Sequence, residues 1–291
     1  MASAPAAGRT RPEGLRWTAR HPFDCSLTTR LKARHVLDFL RPQCGEAVLD
    51  LGCGLGYFLN DLARRGVRAY GMDFSARSLA LARRLSSGYH CQGDAQLLPF
   101  RDDSFDRVIF ADVLEHLRDD RAALHELVRV CRPGARVVVV TPGVRGALAK
   151  TSWRRLFHDE EGTPEFDQRA GYTPEELRLL LAESGIRVVN LRQTLILLGE
   201  FLLQLTKWYL RRRRLHYHTQ ADILAVTESW AFRLYRRWAF PVFLAVARLE
   251  EATLGSWVDG HSLIALGLVN KPGQVRPLGE SRGVVRMRET A

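Results

Sequence analysis

The sequence predicts an α/β protein built on a doubly wound, mostly parallel sheet, and three observations carry that expectation. Short apolar runs alternate with segments of helical period from Ala47 to Thr141. The run Val48-Leu49-Asp50-Leu51 passes into a glycine at every second position, Gly52, Gly54 and Gly56. A second acidic residue, Asp73, ends the next apolar run. Together they describe strands that feed helices through tight turns at one edge of a sheet.

Each element follows from its own residues. Leu31, Val36, Leu37 and Leu40 recur at helical spacing from Thr28, and Arg41-Pro42 ends the pattern. Strand Ala47 to Leu51, helix Tyr57 to Arg65 closed by Gly66, strand Arg68 to Met72, helix Ser75 to Leu85 and a strand at Tyr89 to Gln92 come next. Phe105 to Ala111 reads as a fourth strand, Asp120 to Cys131 as a helix and Ala135 to Thr141 as a fifth strand. Thr173-Pro174-Glu175-Glu176 supplies an N-cap, a proline at the first helical position and a capping glutamate for Leu177 to Glu183. Ile186 to Leu191 and Leu263 to Val269 complete the strands.

Between those last two strands stand two helical stretches, Leu195 to Leu210 and Ile223 to Ala247, rich in aromatic residues such as Trp208, Trp230 and Trp238. Glu200, Lys207, Arg233, Arg236 and Arg237 interrupt or border them, so neither is the uninterrupted apolar run that spans a bilayer. Such helices suit a bilayer interface, a cap over the active site, or a homodimer seam. The segment also concentrates charge: Leu191 to Glu250 holds ten basic and four acidic residues, a net of +6 out of +11 for the chain. An anionic membrane, a nucleic acid or a solvated helix face would each accommodate that excess.

The expected organisation is a loose tail over 1–25, a catalytic domain over 26–271 and a disordered basic tail over 272–291. Within the domain, 145–171 is a substrate-side segment and 196–260 a helical insertion. Met1 to Arg11 lacks the apolar core of a signal peptide, and the five cysteines form no C-x-x-C pair. Neither a metal cage nor a disulfide framework is expected. A reducing cytoplasm fits, with peripheral placement at the inner face of a membrane as the alternative that the insertion raises.

The glycine spacing is the informative chemistry. A dinucleotide turn places its third glycine one residue later than Gly56 and has pyrophosphate over the helix N-terminus. Here Asp50 precedes the first glycine, and its carboxylate would repel pyrophosphate but suits a ligand carrying an ammonium and a sulfonium. On Asp50-Leu51-Gly52-Cys53-Gly54-Leu55-Gly56, Met72-Asp73, Gly93-Asp94-Ala95 and the stretch Leu98 to Leu117, the chain resembles a class I S-adenosylmethionine-dependent methyltransferase of the small-molecule branch, which includes ubiquinone-type enzymes. That resemblance is strong from Ala47 to Gly143. It implies a Rossmann-like sheet of seven strands, the last antiparallel.

It also implies roles. Asp50, Gly52, Cys53, Gly54 and Gly56 would wrap the methionine part of S-adenosyl-L-methionine, Asp73 would accept from both ribose hydroxyls, Asp94 from the adenine amino group, and Phe74, Gly93, Ala95 and Ala111 would complete the cofactor contacts. His116 is the candidate general base and Asp112 a candidate for positioning substrate, with Tyr57, His158 and Tyr172 on the substrate side. The acceptor implied is a small or lipid-like molecule. Ala111-Asp112-Val113-Leu114 stands where methylases of base amines carry a proline pair and an aromatic residue, which counts against nucleic acid. An RNA methyltransferase using the basic insertion, or a non-catalytic protein of the same fold, are the competing readings.

Overall fold

The computed structural model describes residues 21, 24, 26–144, 169–202, 205, 234–255 and 257–271. Its elements are α1 (Leu27–Leu40), β1 (Ala47–Leu51), α2 (Tyr57–Arg64), β2 (Arg68–Asp73), α3 (Ala76–Leu85), β3 (Tyr89–Gln92), β4 (Phe105–Ala111), a 3-10 turn (Leu114–His116), α4 (Asp120–Val130), β5 (Cys131–Pro142), α5 (Pro174–Glu183), β6 (Ile186–Thr194), α6 (Phe240–Leu254) and β7 (Ser262–Val269). The strands form one seven-stranded sheet in the order β3-β2-β1-β4-β5-β7-β6. Strand β7 runs antiparallel to both β5 and β6, while the pairs from β3 to β5 are parallel. The seven-stranded sheet with its antiparallel last strand is therefore as the sequence implies.

Alternation along the central strands explains the layers. Val48 and Ile109 face one way, against Val36, Phe39 and Leu40 of α1, Leu59 and Leu62 of α2 and Leu79 of α3. Leu49, Leu51, Val108 and Phe110 face the other way, against Leu124 and Leu127 of α4 and Leu177 and Leu181 of α5. A strand buried on both faces needs apolar residues at nearly every position. Asp50, the penultimate residue of β1 and 2% exposed, breaks that rule.

Several boundaries differ from expectation. Strand β5 begins at Cys131 because that residue pairs with Phe105; Pro133 and Gly134 (φ 76°) then form a bulge before the register resumes at Arg107 and Arg136. Strand β6 continues past Leu191 because Arg192, Gln193 and Thr194 keep partners on β7. Within the first expected insertion helix, Leu195 instead adopts a left-handed conformation (φ 60°) and helix begins at 198. The second continues to Leu254, past the expected Ala247, and its start lies outside the described residues. A π-helical turn, Tyr235–Ala239, leads into α6 just before Pro241, whose ring nitrogen has no hydrogen to donate.

The capping box on α5 forms as read: Glu176 N–H donates to Thr173 Oγ1 at 3.1 Å, and Thr173 N–H to Glu176 Oε2 at 2.8 Å. Of the expected tail over 1–25, only His21 and Asp24 are among the described residues. His21 sits edge-on to Tyr57 with ring centroids 5.2 Å apart, its Nε2 lies 3.3 Å from the Leu55 carbonyl oxygen, and Asp24 pairs with Arg30.

Candidate active site

The carboxyl ends of β1, β2 and β3 meet at one edge of the sheet, and the turn after β1 is shaped by its own backbone. Gly52, Gly54 and Gly56 all have positive φ, at 80°, 52° and 77°. The amides of Gly52 and Cys53 both donate to the Met72 carbonyl oxygen, at 2.7 and 2.9 Å, and the Gly54 amide donates to Asp73 Oδ2 at 2.8 Å. A Cβ on Gly52 would stand 2.1 Å from Val113 Cγ2, and one on Gly56 2.1 Å from Ser86 Oγ. Glycine is thus required here by φ and by protein neighbours, where the sequence alone suggests a close ligand.

Asp50 is enclosed, and its Oδ2 has no hydrogen-bond partner among the described residues. Burial, followed by the nearby Asp73 carboxylate, pushes its pKa up to about 8. A buried carboxyl oxygen without a donor is costly unless something supplies one. Asp73 is already anchored, with Gly54 N–H on Oδ2 and Ser75 N–H on Oδ1, each at 2.8 Å, so its lone pairs are aimed by backbone. Asp94 forms an Asx turn, accepting from Gln96 N–H at 2.9 Å. A Cβ on Gly93 would meet Met72 Sδ at 2.9 Å, and Ala95 lies buried beside it. Phe74 is 76% exposed beside Asp73, and Leu97, absent from the sequence-derived set, is 69% exposed beyond Asp94. Cys53 is buried and its thiol pKa is driven far up by burial, so it is no nucleophile.

The polar residues past β4 form a second cluster. Ala111 ends the strand, and Asp112 takes a left-handed conformation (φ 54°) while its N–H donates to the Val140 carbonyl oxygen. Lys32, reaching across from α1, donates to both Asp112 oxygens at 2.7 and 2.9 Å. Glu115 is 3% exposed; burial and the Asp112 carboxylate push its pKa up to about 7, and Thr141 Oγ1 donates to it at 3.2 Å. His116 is exposed at the end of the 3-10 turn. Lys32 and Glu115 are the members that sequence reasoning missed. Lys32 lies eighty residues from its partner, and Glu115 reads locally as a helix-opening residue.

The substrate-side expectations fare differently. Tyr57 opens α2 beside His21 and Phe58. Tyr172, expected on the substrate side, is 1% exposed; its hydroxyl donates to Asp120 Oδ2 at 2.9 Å, and Arg169 lies 4.3 Å over its ring. His158 lies outside the described residues. Among the described residues no group of three or more His, Cys, Asp or Glu could hold a metal ion.

Residues 49–139 match the family model described as a methyltransferase domain. An O-methyltransferase of Pyrenophora dematioidea is 32% identical over 182 residues, covering 57% of this chain and 65% of the relative. A demethylmenaquinone methyltransferase of Beutenbergia cavernae is 42% identical over 111 residues, 38% of this chain and 46% of the relative. The chain therefore spans less than two thirds of either. Among solved structures, Haemonchus contortus phosphoethanolamine N-methyltransferase 2 bound to S-adenosyl-L-methionine superposes with a TM-score of 0.53 at 16% identity, over 82% of this chain and 52% of that one. The [4+2]-cyclase SpnF superposes at 0.52 with 18% identity, over 82% and 80%. At such identities these two likenesses concern the fold alone.

Proposed function

We propose that this chain, whose residues 49–139 carry a methyltransferase domain, transfers the methyl group of S-adenosyl-L-methionine to a small-molecule acceptor. The observation that carries the reading is Asp50: a buried carboxyl with an unpartnered oxygen, set at the root of a three-glycine turn. A cation is the ligand that such a group selects. The cofactor would bring an ammonium to it and supply an already activated methyl on a sulfonium.

The protein's part is to bind, orient and receive a proton. Asp73, aimed by two backbone amides, retains lone pairs for a diol, and the exposed faces of Phe74 and Leu97 offer apolar surface for a flat base. Alignment of donor and acceptor is worth roughly 7–11 kcal/mol of the barrier, so a scaffold that fixes both can dispense with elaborate side-chain chemistry. An acceptor hydroxyl must lose its proton as its oxygen attacks. Asp112 and His116, four residues apart in the chain past β4, are the groups set to take it, with Lys32 holding Asp112 in place. The names of the relatives, an O-methyltransferase and a demethylmenaquinone methyltransferase, support a small organic acceptor over a macromolecule.

The test is incubation of the full chain with donor labelled in the methyl group and, separately, a metabolite extract and total RNA. Label in extractable small molecules is expected. Label confined to RNA would favour the competing reading, and none in either would contradict methyl transfer to both.

A further inference from the structure

The outward face of α6 is apolar. Val242, Val246 and Leu249 recur three or four residues apart and are 59%, 47% and 64% exposed; Trp238, in the turn before them, is 66% exposed. The inward face is equally regular, with Phe240, Leu244 and Ala247 packed against Leu27 and Leu31 of α1. A surface helix of a soluble domain normally places charge opposite its core stripe. This one does not, and its charges are sorted instead.

Both acidic residues of α6 are engaged with the domain. Glu250 accepts from the Leu198 amide at 3.1 Å, and Glu251 accepts from Thr194 Oγ1 and pairs with His35 at 3.2 Å. The basic residues are left outside: Arg236, Arg237 and Arg248 are exposed, and among the described residues no acidic side chain pairs with them. Arg237 lies 5.7 Å over the Trp238 ring, the amphipathic pairing suited to a boundary between apolar and polar media. An apolar stripe flanked by cations and relieved of its carboxylates is complementary to one surface, a bilayer with anionic headgroups.

We propose that α6 and the turn before it dock this protein on an anionic lipid surface, with Trp238, Val242 and Leu249 entering the headgroup boundary and Arg236, Arg237 and Arg248 meeting phosphates. No helix among the described residues is long and apolar enough to cross a membrane, so the contact proposed is peripheral. Resting on the methyl-transfer reading, it has a further consequence. Helix α1, on which α6 packs, also carries Lys32 at Asp112, so docking brings the acceptor side of the site within one helix of the lipid.

The experiment is co-sedimentation of the full chain with vesicles of phosphatidylcholine alone or mixed with phosphatidylglycerol. Binding is expected to the mixed vesicles, to fall at least several-fold in high salt, and to be lost in a Trp238→Glu/Val242→Glu/Leu249→Glu variant. An Arg236→Gln/Arg237→Gln/Arg248→Gln variant, which leaves the apolar stripe intact, should lose most binding at moderate salt. Melting shifts with S-adenosylhomocysteine, measured on each variant, separate this proposal from the cofactor reading, since docking variants should keep the wild-type shift. Equal binding by wild type and either variant would overturn the proposal. So would a dimer in solution that the glutamate variant dissociates, which would assign the face to a second copy. A large fall in the glutamate variant's melting temperature without vesicles would also overturn it, since the face would then be packed within the protein itself.

Discussion

The proposed cofactor side and the proposed acceptor side of this molecule are built by different means. On the first, from β1 to β3, the site is mostly backbone: three glycines in left-handed conformations, amides fixed on the Met72 carbonyl, and a carboxylate aimed by two N–H groups. On the second, where α1 meets the turn after β4 at one point and α6 at another, it is made of side chains far apart in the chain. Lys32 reaches Asp112, His35 reaches Glu251, and Leu31 shares a cluster with Phe240. The backbone device suits a ligand that never changes, and the side-chain device suits an acceptor that differs from protein to protein. Change on the cofactor side should weaken donor binding by an order of magnitude or more, whereas change on the acceptor side should adjust selectivity and rate.

The largest expected effect is at Asp50. Asp50→Asn keeps the shape of the side chain but loses its charge, and a charge-assisted hydrogen bond is worth about 1.5–3 kcal/mol, so affinity for the methyl donor should fall roughly 10- to 150-fold by calorimetry. An unchanged affinity would remove Asp50 from the site. Next is Gly52→Ala, where a Cβ must displace Val113 at a φ of 80°. A cost of about 1–3 kcal/mol is expected, seen as a lower melting temperature together with a weakened donor shift.

A pH series sharpens the same contrast. Asp50 and Glu115 have folded pKa values raised to about 8 and about 7, so the stability their protonated forms contribute is fully present below the unfolded carboxyl pKa. It is lost as pH rises through those raised values. The ligand-free protein should therefore lose stability from these two groups between about pH 4 and pH 8. A cationic ligand needs Asp50 ionised, so donor affinity should rise with pH, by up to about tenfold per unit below pH 8. A flat affinity profile would mean that Asp50 is already ionised or is not in contact.

The smallest stability effect is expected at Lys32→Met. Its partly exposed ion pair should be worth less than about 1 kcal/mol, while the acceptor KM rises several-fold and the donor KM stays put. Equal changes in both would erase the distinction between the two sides.

The same division explains what was legible in the chain. Strand period, the glycine turn and the caps at Ser75 and Thr173 are local signals, and local pattern predicts local backbone. Strands β1 to β4 accordingly lie where the residues suggest. The burial of Tyr172 and Glu115 was not legible because burial is a tertiary property: an aromatic residue at the end of an irregular stretch reads the same whether it faces solvent or donates to Asp120. The bulge at Pro133 and Gly134 was hidden likewise, since only pairing with Phe105 makes Cys131 part of a strand.

The turn after β1 is proposed to hold a cationic methyl donor rather than a dinucleotide. Isothermal titration of the wild-type chain at pH 8 with S-adenosyl-L-methionine, and separately with a nicotinamide dinucleotide, tests it most directly. A single saturable site for the first ligand and no saturable heat from the second is the predicted result. Saturation by the dinucleotide, or no binding of S-adenosyl-L-methionine, would contradict it.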